Sequence, residues 1–272
     1  MLKLSFSAIL LLFFISCSHK ILNVDHHISS TMGLIPETSG HFLGGSLEPV
    51  NFHTDHKLNL VQSTQTSLFG YVSNTEVSTT KSLEQSGGMG IKGTLGLLKR
   101  LDYVIKSHTE APTMHGFKLQ ILGDSFKEKK NGFKLAVAAL YGQGTDTEEG
   151  SLTVSIEDQA VDKFDNASGE VLMKQREVAL ILGYRFTNFF LLFSAAAYTH
   201  VDSKATLNVN SKPTFVLAES EYFSGTVGGR VHTHFDSINV FTQMEVGRSR
   251  GHILKGSKQS IDALDFSIGI TW

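Results

Sequence analysis

Arg230, His232 and His234 alternate along one stretch of the chain. In an extended strand, residues two apart project to the same face. A histidine placed there can act as a general base, with Ser224 or Ser267 as the nucleophile that opens an ester. Asn239 falls opposite His234 across a two-residue turn, where it could orient the ring. No serine falls opposite His232 in that register, so the expected role is a polar lining made of Arg230, His232, His234, Glu245 and Asp265. Two histidines at i, i+2 supply only two metal ligands. His53-x-x-His56, with His41 nearby, reads as a solvated loop. No metal and no cofactor is therefore expected. Gly87-Gly88-Met89-Gly90-Ile91-Lys92-Gly93 lacks the Gly-Lys-Ser/Thr of a phosphate loop and suits a strongly curved strand. Residues 143–172 hold eight acidic side chains, Asp146 to Glu170, against Lys163 alone. They read as a solvated loop, able to meet a surface partner or the basic loop 249–260.

The elements that would carry these residues have period 2. From about residue 40 the chain alternates apolar and polar in segments of 8–14 residues, and none of useful length has a period of 3.6. At the C-terminus Leu264, Phe266, Ile268, Ile270 and Trp272 share one face. Phe223 to Val231, Ile238 to Val246 and Val178 to Phe186 repeat the pattern. Across Thr187-Asn188 the apolar face is expected to continue through Phe189, Leu191, Phe193, Ala195 and Ala197, leaving Leu192, Ser194 and Ala196 inward. Further strands lie at 89–97, 101–105, 117–121 and 133–141, and weaker ones at 42–47, 58–62 and 66–74. The four prolines, at 36, 49, 112 and 213, are expected outside strands. Short connections alternate with long ones at 143–172, 201–220 and 249–260. Residues 151–157 also alternate and read as an extension above the membrane.

Composition narrows the class. Of 272 residues 41% are hydrophobic and 18% charged, and the net charge is −2. A near-neutral chain is no nucleic-acid binder by bulk charge. There are 25 Gly and 19 Phe but only 4 Pro and one Cys, so no disulfide framework exists. The outward face carries no charge, while the opposite face carries Lys92, Lys106, Lys118, Lys134, Glu177, Arg185, Arg230, Glu245 and Asp265. A lipid-facing Lys or Arg at mid-bilayer costs about 2–4 kcal/mol, so this segregation points to a membrane barrel. Aromatic residues gather at both ends of the apolar face, as membrane girdles do.

Met1–Ser16 has a Lys3 n-region and a short apolar core, the form of a secretory signal peptide. Phe14-Ile15-Ser16-Cys17 resembles the lipobox of bacterial lipoproteins, with Phe14 in place of the usual Leu. The resemblance implies acylation of Cys17; the polar residues that follow make 17–39 a lipidated linker, and the alternating segments make 40–272 the barrel. Leu264-x-Phe266-x-Ile268-x-Ile270-x-Trp272 resembles the terminal assembly signal of Gram-negative outer-membrane β-barrel proteins. Gly96-Leu97-Leu98-Lys99-Arg100-Leu101-Asp102 and Leu182-Gly183-Tyr184-Arg185-Phe186-Thr187-Asn188 resemble the same family. The resemblance implies an outer-membrane location, contact with outer-membrane lipids and lipopolysaccharide, and insertion by the barrel assembly machinery. With both barrel ends on the periplasmic side the strand number is even. Nine strands count back from Trp272 to residue 88, so ten or twelve are allowed, and twelve is favoured. The expectation is an all-β, transmembrane, antiparallel up-and-down β-barrel with a structural, narrow-pore or surface-interaction role and no catalysis. The alternative is a lipid-modifying hydrolase of the outer-membrane lumen or rim.

Overall fold

The computed structural model describes residues 16–29, 33–50, 53–66, 72–86, 90–108, 112–156, 159–209, 212–235, 238–253 and 258–272. Thirteen strands follow in chain order: β1 (Ser16–Ser29), β2 (Gly45–Val50), β3 (His53–Thr66), β4 (Val72–Ser86), β5 (Gly90–Leu98), β6 (Leu101–His108), β7 (Met114–Leu122), β8 (Gly132–Ile156), β9 (Gln159–Arg185), β10 (Phe190–Val209), β11 (Lys212–Phe235), β12 (Ile238–Ile253) and β13 (Lys258–Thr271). Ten of them close into an antiparallel barrel in the order β2, β5 to β13, and back to β2, while β1, β3 and β4 pair in a separate sheet. The barrel thus has ten strands, not the favoured twelve. Of the three weak N-terminal segments only the first joins the wall. The other two lie in the chain between β2 and β5, where period 2 marks a strand without saying which sheet it joins.

The seam between β13 and β2 is short, with Ile270 opposite Leu47 and Thr271 opposite Ser46. It is finished by two backbone bonds of 3.1 Å exchanged between Gly45 and Trp272. Pro49 lies within β2 and Pro213 at the start of β11, so two of the four prolines do occupy strands. Both positions suit a residue that cannot donate to a ladder: a strand paired for only part of its length, and a strand end.

Side chains are distributed inside out. Phe133, Tyr141, Val178, Leu180, Val227, Met244, Val246 and Ile268 face outward and are exposed, while Lys92, Lys106, Lys118, Lys134, Glu177, Arg185, Arg230 and Glu245 are buried inside. Such an exterior belongs in lipid, because water would meet a continuous apolar surface. Phe133 and Tyr141 mark the two edges on β8. From one to the other is about 26 Å of strand at ~3.3 Å per residue, a length close to the shortest of the about 9–11 tilted residues that cross a bilayer.

Strands β8, β9, β10 and β11 have 25, 27, 20 and 24 residues. About 9–11 residues cross a bilayer, so this part of the wall continues well beyond it. The stretches 143–172 and 201–220 are mostly paired strand rather than loop, with Gln143 opposite Lys174 and Ser203 opposite Ala218. These stretches are too rich in polar residues for an apolar period to mark them as strand in the sequence.

One register differs from the sequence expectation by a single residue. Leu191 pairs with Arg185 and Phe193 with Gly183. Leu191, Phe193, Ala195 and Ala197 therefore face the lumen, and Leu192 and Ala196 face out. The connection at the bottom of this hairpin runs from Phe186 to Phe189, longer than Thr187-Asn188 alone, and a one-residue slip inverts every side chain.

Candidate functional site

The lumen is filled by the chain itself. Gly33–Ser39 precede β2 and lie wholly buried inside the barrel. Composition makes this segment part of a linker. In the fold it is a plug, held by side chains of the wall because it has no ladder of its own. Gly33 N–H donates to Glu245 Oε2 at 2.7 Å, and Lys92 Nζ donates to the Gly33 carbonyl. Thr38 N–H donates to Gln120 Oε1 at 2.9 Å. Ser39 Oγ donates to Asp102 Oδ1 at 2.7 Å. Pro36 lies against Gly183, where a Cβ would stand 2.6 Å from the proline Cγ. Leu34 joins the inward residues Val104, Ala136, Ala179 and Ile181 in one apolar cluster.

Glu37 is the charged centre of the plug. Arg185 grips its carboxylate with two donors, Nε to Oε1 at 2.6 Å and Nη2 to Oε2. This is the two-point geometry that suits a guanidinium. Lys134 Nζ lies 3.7 Å from the same carboxylate. Lys118 Nζ donates to the Glu37 carbonyl at 2.6 Å. The short-turn end is closed by the β7–β8 connection, a 3₁₀ turn over Phe126–Glu128. Phe126 N–H donates to the Thr38 carbonyl at 2.9 Å, and the Arg185 guanidinium lies 5.5 Å from the Phe126 ring. The cavity left between plug and wall is about 20 Å³, room for about one water.

The plug has a direction. It ends at Gly40, whose φ is +87° and whose Cβ would meet Ser125 Oγ at 2.2 Å. The chain then starts β2 beside Trp272 and Leu95, at the short-turn end. Gly33, at the other end of the plug, is level with Glu245, seven residues up β12 from Ile238. Further upstream Ser29 pairs with His53, three residues beyond the end of β2 at the long-connection end. Ser29, four residues before Gly33, therefore lies toward the long-connection end.

Around the plug the wall carries a buried ion-pair network. Glu48 bridges Lys92 and Arg230, the latter at 2.8 Å. Lys106 pairs with Glu177 at 3.0 Å and Lys118 with Asp102 at 3.3 Å. Arg230 donates to Gln243 at 2.7 Å, Gln243 donates to Glu245 at 3.2 Å, and Arg230 lies 3.7 Å over the Phe241 ring.

The sequence-derived lining residues fall around this network unevenly. Arg230 and Glu245 belong to it. His232 is buried between Phe126 and Phe241, at ring distances of 4.7 and 5.8 Å, and neither ring nitrogen has a hydrogen-bond partner among the described residues. His234 is exposed at the rim with Nδ1 2.7 Å from Asn239 Oδ1. The backbone of Asp265 lies opposite Glu245; its side chain, with those of Leu264 and Phe266, lies outside the described residues. Ser224 bonds to Ser249 at 2.8 Å. Neither Ser224 nor Ser267 partners His232, so these residues form no nucleophile–base pair. Of the terminal signal, Ile268, Ile270 and Trp272 face outward. The Trp272 indole donates to the Leu43 carbonyl at 3.0 Å. The side chains of Cys17, His53, His56 and the acidic stretch lie outside the described residues. Among the described residues no three His, Cys, Asp or Glu side chains form a metal site.

Sequence reasoning missed Glu37, Thr38, Ser39, Glu48 and Asp102. Glu48 and Asp102 were readable, because alternation along β2 and β6 puts both inward. Nothing in the plug's own pattern marks it.

No protein-family model matches the chain, and no curated protein matches it. Among solved structures, the outer membrane protease OmpT from Escherichia coli is similar, with a TM-score of 0.32 and 11% identity over 94% of each chain. The likeness transfers no reaction to this chain. It does correct the expectation that the chain is not an enzyme: the similar barrel is a protease, and a barrel of this kind gives no ground for excluding catalysis.

Proposed function

We propose that this chain is an outer-membrane barrel shut by its own N-terminal segment, acting at the cell surface as an anchored display platform rather than an open channel. The observation that carries this reading is the plug, Gly33–Ser39, buried throughout and tied by Glu37 to Arg185. The apolar exterior and charged interior support insertion into a bilayer whose lipids, lipopolysaccharide among them, contact the wall. Leu264, Phe266, Ile268, Ile270 and Trp272 serve as the signal read by the assembly machinery. The pairing of Ser29 with His53 supports an N-terminal arm at the long-connection end, the end taken to face outside. An acyl group on Cys17, at the far end of β1 from Ser29, would anchor that arm to lipid, each buried CH₂ adding about 0.8 kcal/mol. The extended hairpins β8–β9 and β10–β11 offer a partner surface above it.

Planar bilayers test the closure. The purified full-length chain is expected to give no stable conductance steps. Large, long-lived steps overturn the reading. Palmitate labelling lost on Cys17→Ser, and binding of antibody on intact cells to a tag inserted within 18–28, test the anchor and the outward arm.

A further inference from the structure

The grip on Glu37 is built by the wall, not by the plug. Arg185 also donates through Nη1 to the Asn188 carbonyl at 2.9 Å, in its own hairpin turn. Lys134 donates to the Asp124 carbonyl at 2.6 Å and the Lys130 carbonyl at 3.0 Å. Phe126 lies beside Arg185 and limits its swing. Both cations would stay aimed at the same point if the plug left. Neither has a wall carboxylate as ion-pair partner among the described residues: Arg185 and Lys134 share Glu37, while Asp102 faces Lys118. Each of the two is about 1% exposed or less, and a buried unpaired charge is strongly unfavourable. With the plug seated the site requires an anion, and Glu37 supplies it.

We propose that Arg185 and Lys134 form a lumen site for a small carboxylate solute, that Glu37 is its built-in occupant, and that such a solute competes with the plug and releases it. This rests on the plugged-barrel reading and adds the ligand class and the release step. No bond is made or broken; one carboxylate replaces another in the same fork. A planar two-oxygen anion matches the Arg185 donors, and a spherical anion does not.

The test uses the full-length barrel carrying Cys17→Ser and Leu34→Cys, with maleimide labelling of position 34 as the readout. Acetate replaces chloride at constant ionic strength, so screening is the same in both. Acetate is expected to speed labelling and chloride to leave it slow. Glu37→Gln removes the competing charge and is expected to lower the acetate concentration needed by roughly ten- to hundredfold. Arg185→Gln is expected to abolish the difference between acetate and chloride. The acetate series on the chain with Glu37 intact needs no change in the ion pair, so a misfolded Glu37 variant does not decide the matter. Labelling that is slow and indifferent to acetate overturns the site and leaves the plug standing. Labelling that is fast in chloride alone overturns the plug itself.

Discussion

Replacing Glu37 by alanine isolates the contact on which the plug depends most. The substitution removes the carboxylate and leaves Arg185 and Lys134 facing each other's charge in a dry site. The Glu37 and Arg185 side chains are 0% exposed, and that of Lys134 is 1% exposed. Breaking one side of a buried pair costs about 3–5 kcal/mol, mostly the penalty of the stranded charge. Every 1.4 kcal/mol is a factor of ten, so the plugged state should lose about two to three and a half decades. Urea unfolding of the refolded barrel in detergent measures it. Lys130→Ala is the internal control, because the Lys130–Asp124 pair is 3.8 Å long with Lys130 65% exposed. An exposed pair of that kind is worth below about 1 kcal/mol. The double variant Glu37→Ala with Arg185→Met should recover much of the loss, since the stranded charge goes too. A Glu37→Ala cost no larger than that of Lys130→Ala would refute the argument.

Gly183→Ala puts a Cβ where Pro36 already stands, so a loss of about 1–3 kcal/mol is expected, relieved by Pro36→Ala in the same unfolding assay. His232→Phe removes two unpartnered ring nitrogens from between Phe126 and Phe241. It should leave the thermal midpoint unchanged or raised, and a midpoint clearly lowered would mean that His232 has a polar partner. At the rim, Lys99 bonds to Glu128 at 2.7 Å and holds that carboxyl at about 2, below its ordinary 4.5. The contact is then complete above pH 4.5 and lost only as pH falls toward 2. Carbon-detected NMR titration should find a midpoint near 2 that returns toward 4.5 in Lys99→Ala.

The outward face was legible because lipid and lumen sort side chains with period 2. Phe133, Val137 and Tyr141, or Ile238, Met244 and Val246, announce themselves in that way. The single error of facing, on Leu191 and Phe193, came from a turn: Phe186-Thr187-Asn188-Phe189 is apolar at both ends and blends into the strands it joins. The strand count depended on residues 53–86, where alternation made strands that pair with each other, and β3 with β1, instead of with the wall. The plug was illegible for a different reason. Leu34, Glu37 and Ser39 are held by residues 63 to 148 positions away in the chain, such as Asp102 and Arg185. A segment satisfied by side chains of a surrounding wall needs no period of its own. The lining histidines show the converse. His232 and His234 look like chemistry in sequence, yet one is wedged between rings and the other bonds an asparagine at the rim.

Amide hydrogen exchange on the untouched chain tests the plug most directly. Gly33, Thr38 and Ser39 donate their backbone N–H groups to Glu245, Gln120 and Asp102 of the wall. Mass spectrometry of the peptide spanning 33–39 should find these amides protected to the same degree as those of β8 and β9 in the barrel wall. Exchange of that peptide within seconds, while β8 and β9 stay protected, would mean that the lumen is not closed by its own N-terminal segment.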